Sequence, residues 1–181
     1  FKRSLIDEIP ADRPVSVERE TFPGLLERGA HVIGVVDEGY WLDLVTPLAF
    51  AQDSADVVRG LAPSPLLHGS TGETFIDVAA QVDATATLIN GSYVGAGVTI
   101  GANAVVDGSV LFEGAVIGAD AQVIRAIIGA EASIGQGSHV VETVVADRAR
   151  VGDNNELMSG ARVFPDSVIP DGAIRFSSDR S

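Results

Sequence analysis

Val94-Gly-Ala-Gly-Val-Thr-Ile100-Gly-Ala-Asn-Ala-Val-Val106-Asp-Gly-Ser-Val-Leu111-Phe-Glu-Gly-Ala-Val-Ile117 carries a branched aliphatic residue at every sixth position, with one step of five. Extended both ways, the steps land on Ile76, Val82, Leu88, Val94, Ile100, Val106, Leu111, Ile117, Val123, Ile128, Ile134, Val140, Val145, Val151, Leu157, Val163 and Ile169, so all 17 are Ile, Val or Leu. The residue two places earlier is Ala, Ser or Thr in 15 cases, the exceptions being Val98 and Asn155, and Gly follows directly in six. Two coupled positions repeated this often mark an internal repeat, which takes precedence over local propensity. The five-residue steps, Val106 to Leu111, Val123 to Ile128 and Val140 to Val145, are themselves 17 apart, so the middle coils read six, six and five.

A period of six fits neither a helix nor a plain alternating strand. It fits short strands joined by tight corners, with the aliphatic residue filling an interior too narrow for a second large side chain. Three such sides close a triangular prism, and stacked coils pair their short parallel strands. Glycines at the corners supply positive φ or close approach. The pattern resembles the left-handed parallel β-helix of hexapeptide repeats, and the handedness is taken from that resemblance. About five and a half coils are expected from Ile76 to Ile174. The alternative is a β-sandwich with fortuitous spacing.

The chain has 12 basic and 25 acidic residues, a net charge of −13, no cysteine and a mean hydropathy of +0.27. This excess of acid disfavours nucleic acid and anionic membrane surfaces as partners. The lack of cysteine excludes a disulfide scaffold, a thiolate nucleophile and a Cys-ligated metal, and accords with a cytoplasmic location. No stretch approaches the roughly 18 uninterrupted apolar residues of a spanning helix, and Phe1 to Pro10 lack a signal-peptide pattern. The start at Phe1 reads as the interior of a longer chain.

The composition changes at Gly60, which divides the chain into residues 1–60, a Pro/Gly/Ser-rich linker over 61–75, and the repeat domain over 76–181. In the first part, Phe1 to Ile9 reads as a helix end stopped by Pro10. Ser16 to Gly29 reads as a helix interrupted near Pro23. Val32–Val36 and Tyr40–Leu44, joined by Asp37-Glu38-Gly39, read as a β-hairpin. Thr46 before Pro47 is an N-cap followed by proline at N1, opening an Ala-rich helix that Gly60 ends. These elements bury too little to stand alone and read as the last part of an α/β domain.

Ser16-Val-Glu-Arg-Glu-Thr-Phe-Pro23, Gly39-Tyr-Trp-Leu-Asp-Leu-Val-Thr-Pro47 and a prism ending Asp171-Gly-Ala-Ile-Arg-Phe-Ser-Ser178 together resemble the C-terminal part of sugar-1-phosphate nucleotidyltransferases. The resemblance is strongest to the GDP-mannose pyrophosphorylase (mannose-1-phosphate guanylyltransferase) group and covers nearly the whole chain. It implies in-line attack of a sugar 1-phosphate on a nucleotide α-phosphorus, with Mg²⁺ screening the charge. It further implies that Asp43 is one metal-binding carboxylate, that Glu18 and Arg19 stand near the sugar, and that an N-terminal nucleotide-binding domain is a missing partner. The chain alone is then expected to be inactive. At Val45 the sequence departs from the glycine that the family carries before Thr-Pro.

Two other functions compete. Hexapeptide prisms also serve as acyltransferases, but only His139 lies in the repeat as a base, and no insertion breaks the register for a donor channel. A non-catalytic regulatory or oligomerisation subunit is the third reading. Arg125, Arg148, Arg150 and Arg162 are sparse and mixed with acids, as on a solvated face. Gly95-Ala-Gly97 with Gly101 lacks the strand-to-helix context of a dinucleotide fingerprint. A homo-oligomer through the prism sides is expected, with the first coil covered by the Thr46–Gly60 helix and the linker.

Overall fold

The computed structural model describes residues 2–65, 72–158 and 160–175. They divide into two compact units, with the boundary along the chain between Gly39 and Tyr40. Residues 66–71 of the linker, and the tail beyond Arg175, lie outside the described residues.

In the first unit, α1 (Arg3–Ile6) is followed by a π-helical turn (Val17–Thr21) that runs directly into α2 (Phe22–Glu27). Ser16 caps the π turn, its hydroxyl accepting from the Arg19 N–H at 3.2 Å. The interruption expected near Pro23 is this change of helix type, with Pro23 at the start of α2 just after the π turn. Leu25 is buried at the centre of the unit. Two surface ion pairs, Arg13 with Glu20 at 2.8 Å and Arg28 with Glu8 at 3.3 Å, tie its pieces together.

The expected hairpin does not form. The turn is present, with Asp37 Oδ1 accepting from Gly39 N at 2.8 Å, but no strand precedes Thr74 among the described residues. Val36 and Trp41 are 89% and 79% exposed. A two-stranded ribbon is at best marginal in water without a sheet or helix to cover its apolar face, and most of the large apolar residues of both runs are exposed here.

The repeat folds as expected, into the mostly β, left-handed parallel β-helix of hexapeptide repeats. Among the described residues, seventeen strands of two or three residues form three parallel sheets. One sheet takes every third strand from β1 (Thr74–Ile76) to β16 (Arg162–Val163), the next from β2 (Gln81–Val82) to β17 (Val168–Ile169), and the third from β3 (Thr87–Ile89) to β15 (Glu156–Leu157). The register stacks Ile76, Val94, Leu111, Ile128, Val145 and Val163 in one column. The five-residue steps all fall at the corner between the third sheet and the first. From Val94 to Val163 every inward aliphatic of the repeat is buried. At the ends, where no further coil stacks, Val82, Leu88 and Ile169 are only half-buried and Ile76 is 45% exposed.

The glycines divide by function. An added Cβ at Gly118 would lie 2.6 Å from Gln136 N in the next coil, and one at Gly101 2.7 Å from Ala119 N. This column is glycine because stacked backbones touch there. Positive φ at the corners is shared between glycines, as expected, among them Gly97, Gly108, Gly114 and Gly137, and other residues, including Asn103, Asp120, Arg125, Glu131, Glu142 and Arg148.

Helix α3 (Pro47–Val58) belongs to the same unit as the prism. Thr46 Oγ1 accepts from Ala49 N at 3.1 Å as N-cap, and Gly60 leaves the helix at φ 75°. Ala51, Ala55 and Val58, spaced by four and three, form its buried stripe. Ala55 sits against Gly91, where a Cβ would meet the Ala55 carbonyl at about 2.5 Å. The helix lies along the prism, not over its end as expected. Arg59 reaches Glu73, before the first coil, at 3.9 Å, while Thr46 to Leu48 share a cavity with Glu142 and Gly160 to Arg162 near the last coils. Small residues on α3 fit it to the flat side of a sheet, and the open end keeps Ile76 and Val78 exposed.

The opposite end is closed by Asn155, one of the two exceptions in the repeat. Its buried amide donates to the carbonyls of Gly152, Asp153 and Pro170, and its oxygen accepts from Ile174 N. Val98, the other exception, is fully buried as an extra aliphatic.

Candidate functional site

Glu18 and Arg19 are exposed on the π turn of the first unit. Beside that turn, Leu5, Ile9, Val15 and Leu25 line a cavity of about 290 Å³, rimmed by Glu8, Arg13, Glu20 and Arg28. The Arg13 guanidinium, and then the Ser16 N–H, hold the Glu20 carboxyl below its ordinary pKa. The rim charges are thus already paired with one another.

Asp43 stands on the other unit, in the extended segment between Tyr40 and Thr46. It is exposed, and its carboxylate makes no hydrogen bond or ion pair among the described residues. No group of three or more His, Cys, Asp and Glu able to hold a metal occurs among the described residues. Asp43 is therefore a hard oxygen donor of the type Mg²⁺ takes, one ligand of a set and not a complete site.

What the sequence did not announce is how this segment is fastened. Tyr40 Oη donates to Asp56 Oδ2 on α3 at 2.9 Å, and Gln52 Nε2 donates to Asp56 Oδ1 at 2.9 Å. Partial burial, then the carboxylates of Asp56 and Asp53, push the Tyr40 pKa upward, so the hydroxyl remains a donor at neutral pH. A contact sixteen residues apart leaves no local pattern; only the i, i+4 spacing of Gln52 and Asp56 was legible.

On the prism, Arg125 is bonded through Nε and Nη2 to Glu142 Oε1, and Arg148 makes a two-point pair with Asp166. Both read as surface ladders between coils. His139 is half-buried, in register between Gln122 and Glu156. Arg125, Arg59, Gln52, Asn90 and Asp107 border a cavity of about 240 Å³ beside α3, in which Asn90 already donates to Asp107 at 2.8 Å.

The second unit is thus a hexapeptide-repeat β-helix domain braced by one helix. Residues 70–174 match the model of the GMPPB C-terminal domain, and the chain belongs to that family. It is 53% identical over 180 residues to the mannose-1-phosphate guanylyltransferase of Mycobacterium tuberculosis, covering 99% of this chain and 50% of the relative. The chain thus spans about half the length of the curated relative it matches. Among solved structures, it is similar to perosamine N-acetyltransferase from Caulobacter crescentus (21% identity, TM-score 0.44, covering 85% of this chain and 70% of that one). It is also similar to the acetyltransferase domain of PglB from Neisseria gonorrhoeae (25% identity, TM-score 0.34, covering 55% and 52%).

Proposed function

We propose that this chain is the C-terminal portion of a mannose-1-phosphate guanylyltransferase, which converts GTP and mannose 1-phosphate to GDP-mannose and pyrophosphate. The observation that carries the reading is the 53% identity, which spans the chain and so extends beyond the matched prism into residues 1–69. The exposed Val32–Val36 and Tyr40–Val45 stretches support it, being β-forming runs of the kind a larger α/β sheet takes up.

In such a reaction the sugar phosphate oxygen attacks the α-phosphorus in line and pyrophosphate leaves. The protein contributes mainly position and charge. Mg²⁺, when bound, neutralises charge on the phosphates. Asp43 supplies one carboxylate to hold it, and Glu18 and Arg19 face the sugar. The nucleotide-binding part is a partner supplied by the other half of the protein, and the chain alone is inactive. We place the reaction in the cytoplasm, where nucleoside triphosphates are made, and give the prism an assembling or regulatory role in a homo-oligomer.

The test compares pyrophosphate release from GTP and mannose 1-phosphate by the 181-residue chain and by the full-length protein. Release by the full-length protein alone is expected. Release by the isolated chain, or none by the full-length protein with mannose 1-phosphate, overturns the reading.

A further inference from the structure

The segment from Tyr40 to Thr46 belongs to the compact unit of the prism, not to the unit that carries Glu18 and Arg19. It is tied at both ends to α3. Tyr40 Oη is bonded to Asp56, whose second oxygen is held by Gln52, and Thr46 caps the helix through Ala49 N. The helix is seated in turn by Ala55 on Gly91. Between the ties, Trp41 and Val45 are 79% and 78% exposed, so within this chain the two ties are what fasten the segment. Asp43 is three residues from either tie. Within this chain, release of the Tyr40 tie frees up to about 10 Å of chain at that end, whereas a metal-binding group must be held to within about 0.5 Å.

Resting on the guanylyltransferase reading, we propose that Tyr40 and Asp56 are positioning residues for Asp43, and that the β-helix, through α3, is the mount of that metal-binding carboxylate. The prism then has a part in the chemistry beyond assembly. Loss of the Tyr40 hydroxyl loosens the segment without touching substrate, and its effect is felt in the metal requirement.

The experiment uses the full-length protein with Tyr40→Phe, Asp56→Ala, Asp56→Asn and Asp43→Asn. Amide hydrogen exchange is followed in the peptide spanning 40–46 and, as a fold control, in the coils from 94 to 151; the Mg²⁺ concentration for half-maximal rate is measured alongside. Tyr40→Phe and Asp56→Ala are expected to speed exchange at 40–46 with the coils unchanged, and to raise the Mg²⁺ requirement roughly tenfold, the scale of one hydrogen bond to a charged group. Asp56→Asn, which still accepts from Tyr40, is expected to keep most of both properties. Unchanged exchange at 40–46 overturns the proposal, as does faster exchange with an unchanged Mg²⁺ requirement. An Mg²⁺ requirement indifferent to Asp43→Asn overturns instead the reading of Asp43 as a ligand, which the exchange data alone do not touch.

Discussion

The side-chain oxygen of Asn155 accepts the backbone N–H of Ile174 at 2.9 Å, closing a coil whose third side has no strand of its own. The same amide spans the Gly152, Asp153 and Pro170 carbonyls, each of which also accepts from a second donor. Asn155→Ala leaves the Ile174 N–H without its partner, while the carbonyls keep Ser138 Oγ, Gly172 N and Ala173 N as donors. A loss of about 1–3 kcal/mol is expected in chemical denaturation, since a stranded donor costs its full desolvation. A loss below about 0.5 kcal/mol would show that the end is held otherwise.

The glycine columns predict an ordering. Gly118→Ala forces Cβ against the Gln136 backbone, whereas Gly97, at φ 68°, meets nothing nearer than 3.9 Å. Gly97→Ala therefore suffers only left-handed strain, about 1–2 kcal/mol, and Gly118→Ala suffers coil separation as well. Thermal melts should rank Gly118→Ala as clearly the more damaging; equal losses would contradict the stacking argument.

Glu131 holds φ 56° at a corner where the coils below have Gly97 and Gly114. Relief of left-handed strain outweighs the extra unfolded-state freedom of glycine, so Glu131→Gly is expected to stabilise by about 0.5–1 kcal/mol. A destabilised variant in urea titration would mean that the glutamate makes a compensating contact.

The Arg148 hydrogen bond holds the Asp166 carboxyl below its ordinary pKa. For a depressed acid, the contribution to stability is complete above the unfolded value, about 3.9, and disappears as pH falls through the lower folded value. Asp166→Asn should thus melt slightly below the parent at pH 7 and match it near pH 2. The effect is small because both partners are exposed, and a gap that widened in acid would reverse the assigned sign.

The prism was legible because its constraint is local and periodic: a narrow interior admits one branched aliphatic per side, and Ala121 beside Val123 records that in sequence. Asn155 broke the small-residue rule, yet nothing local shows that it closes an end. The hairpin was misread because Val32 to Val36 has the composition of a strand while strand formation depends on what covers it. The seat of α3 was misplaced for a similar reason: the Ala51, Ala55, Val58 stripe declares that the helix packs, but not on which surface. Of the candidate site, Asp43 came from a motif and Tyr40 to Asp56 from the fold alone.

Helix α3 also measures length. Twelve residues span about 18 Å; the Glu73 end and the Gly160 corner lie five coils apart, about 24 Å at the usual strand spacing, a span the helix bridges with the reach of Arg59 at one end and of Thr46 to Leu48 at the other. The repeat by itself sets no limit on its own number; a coil added or removed in the middle would leave every internal pairing intact. It would also slide Glu73 and Gly160 out of step with the two ends of the helix. The helix thus works as a gauge against which unequal duplication of 17-residue modules is checked, and the short corner it overlies is where such an error would be felt first.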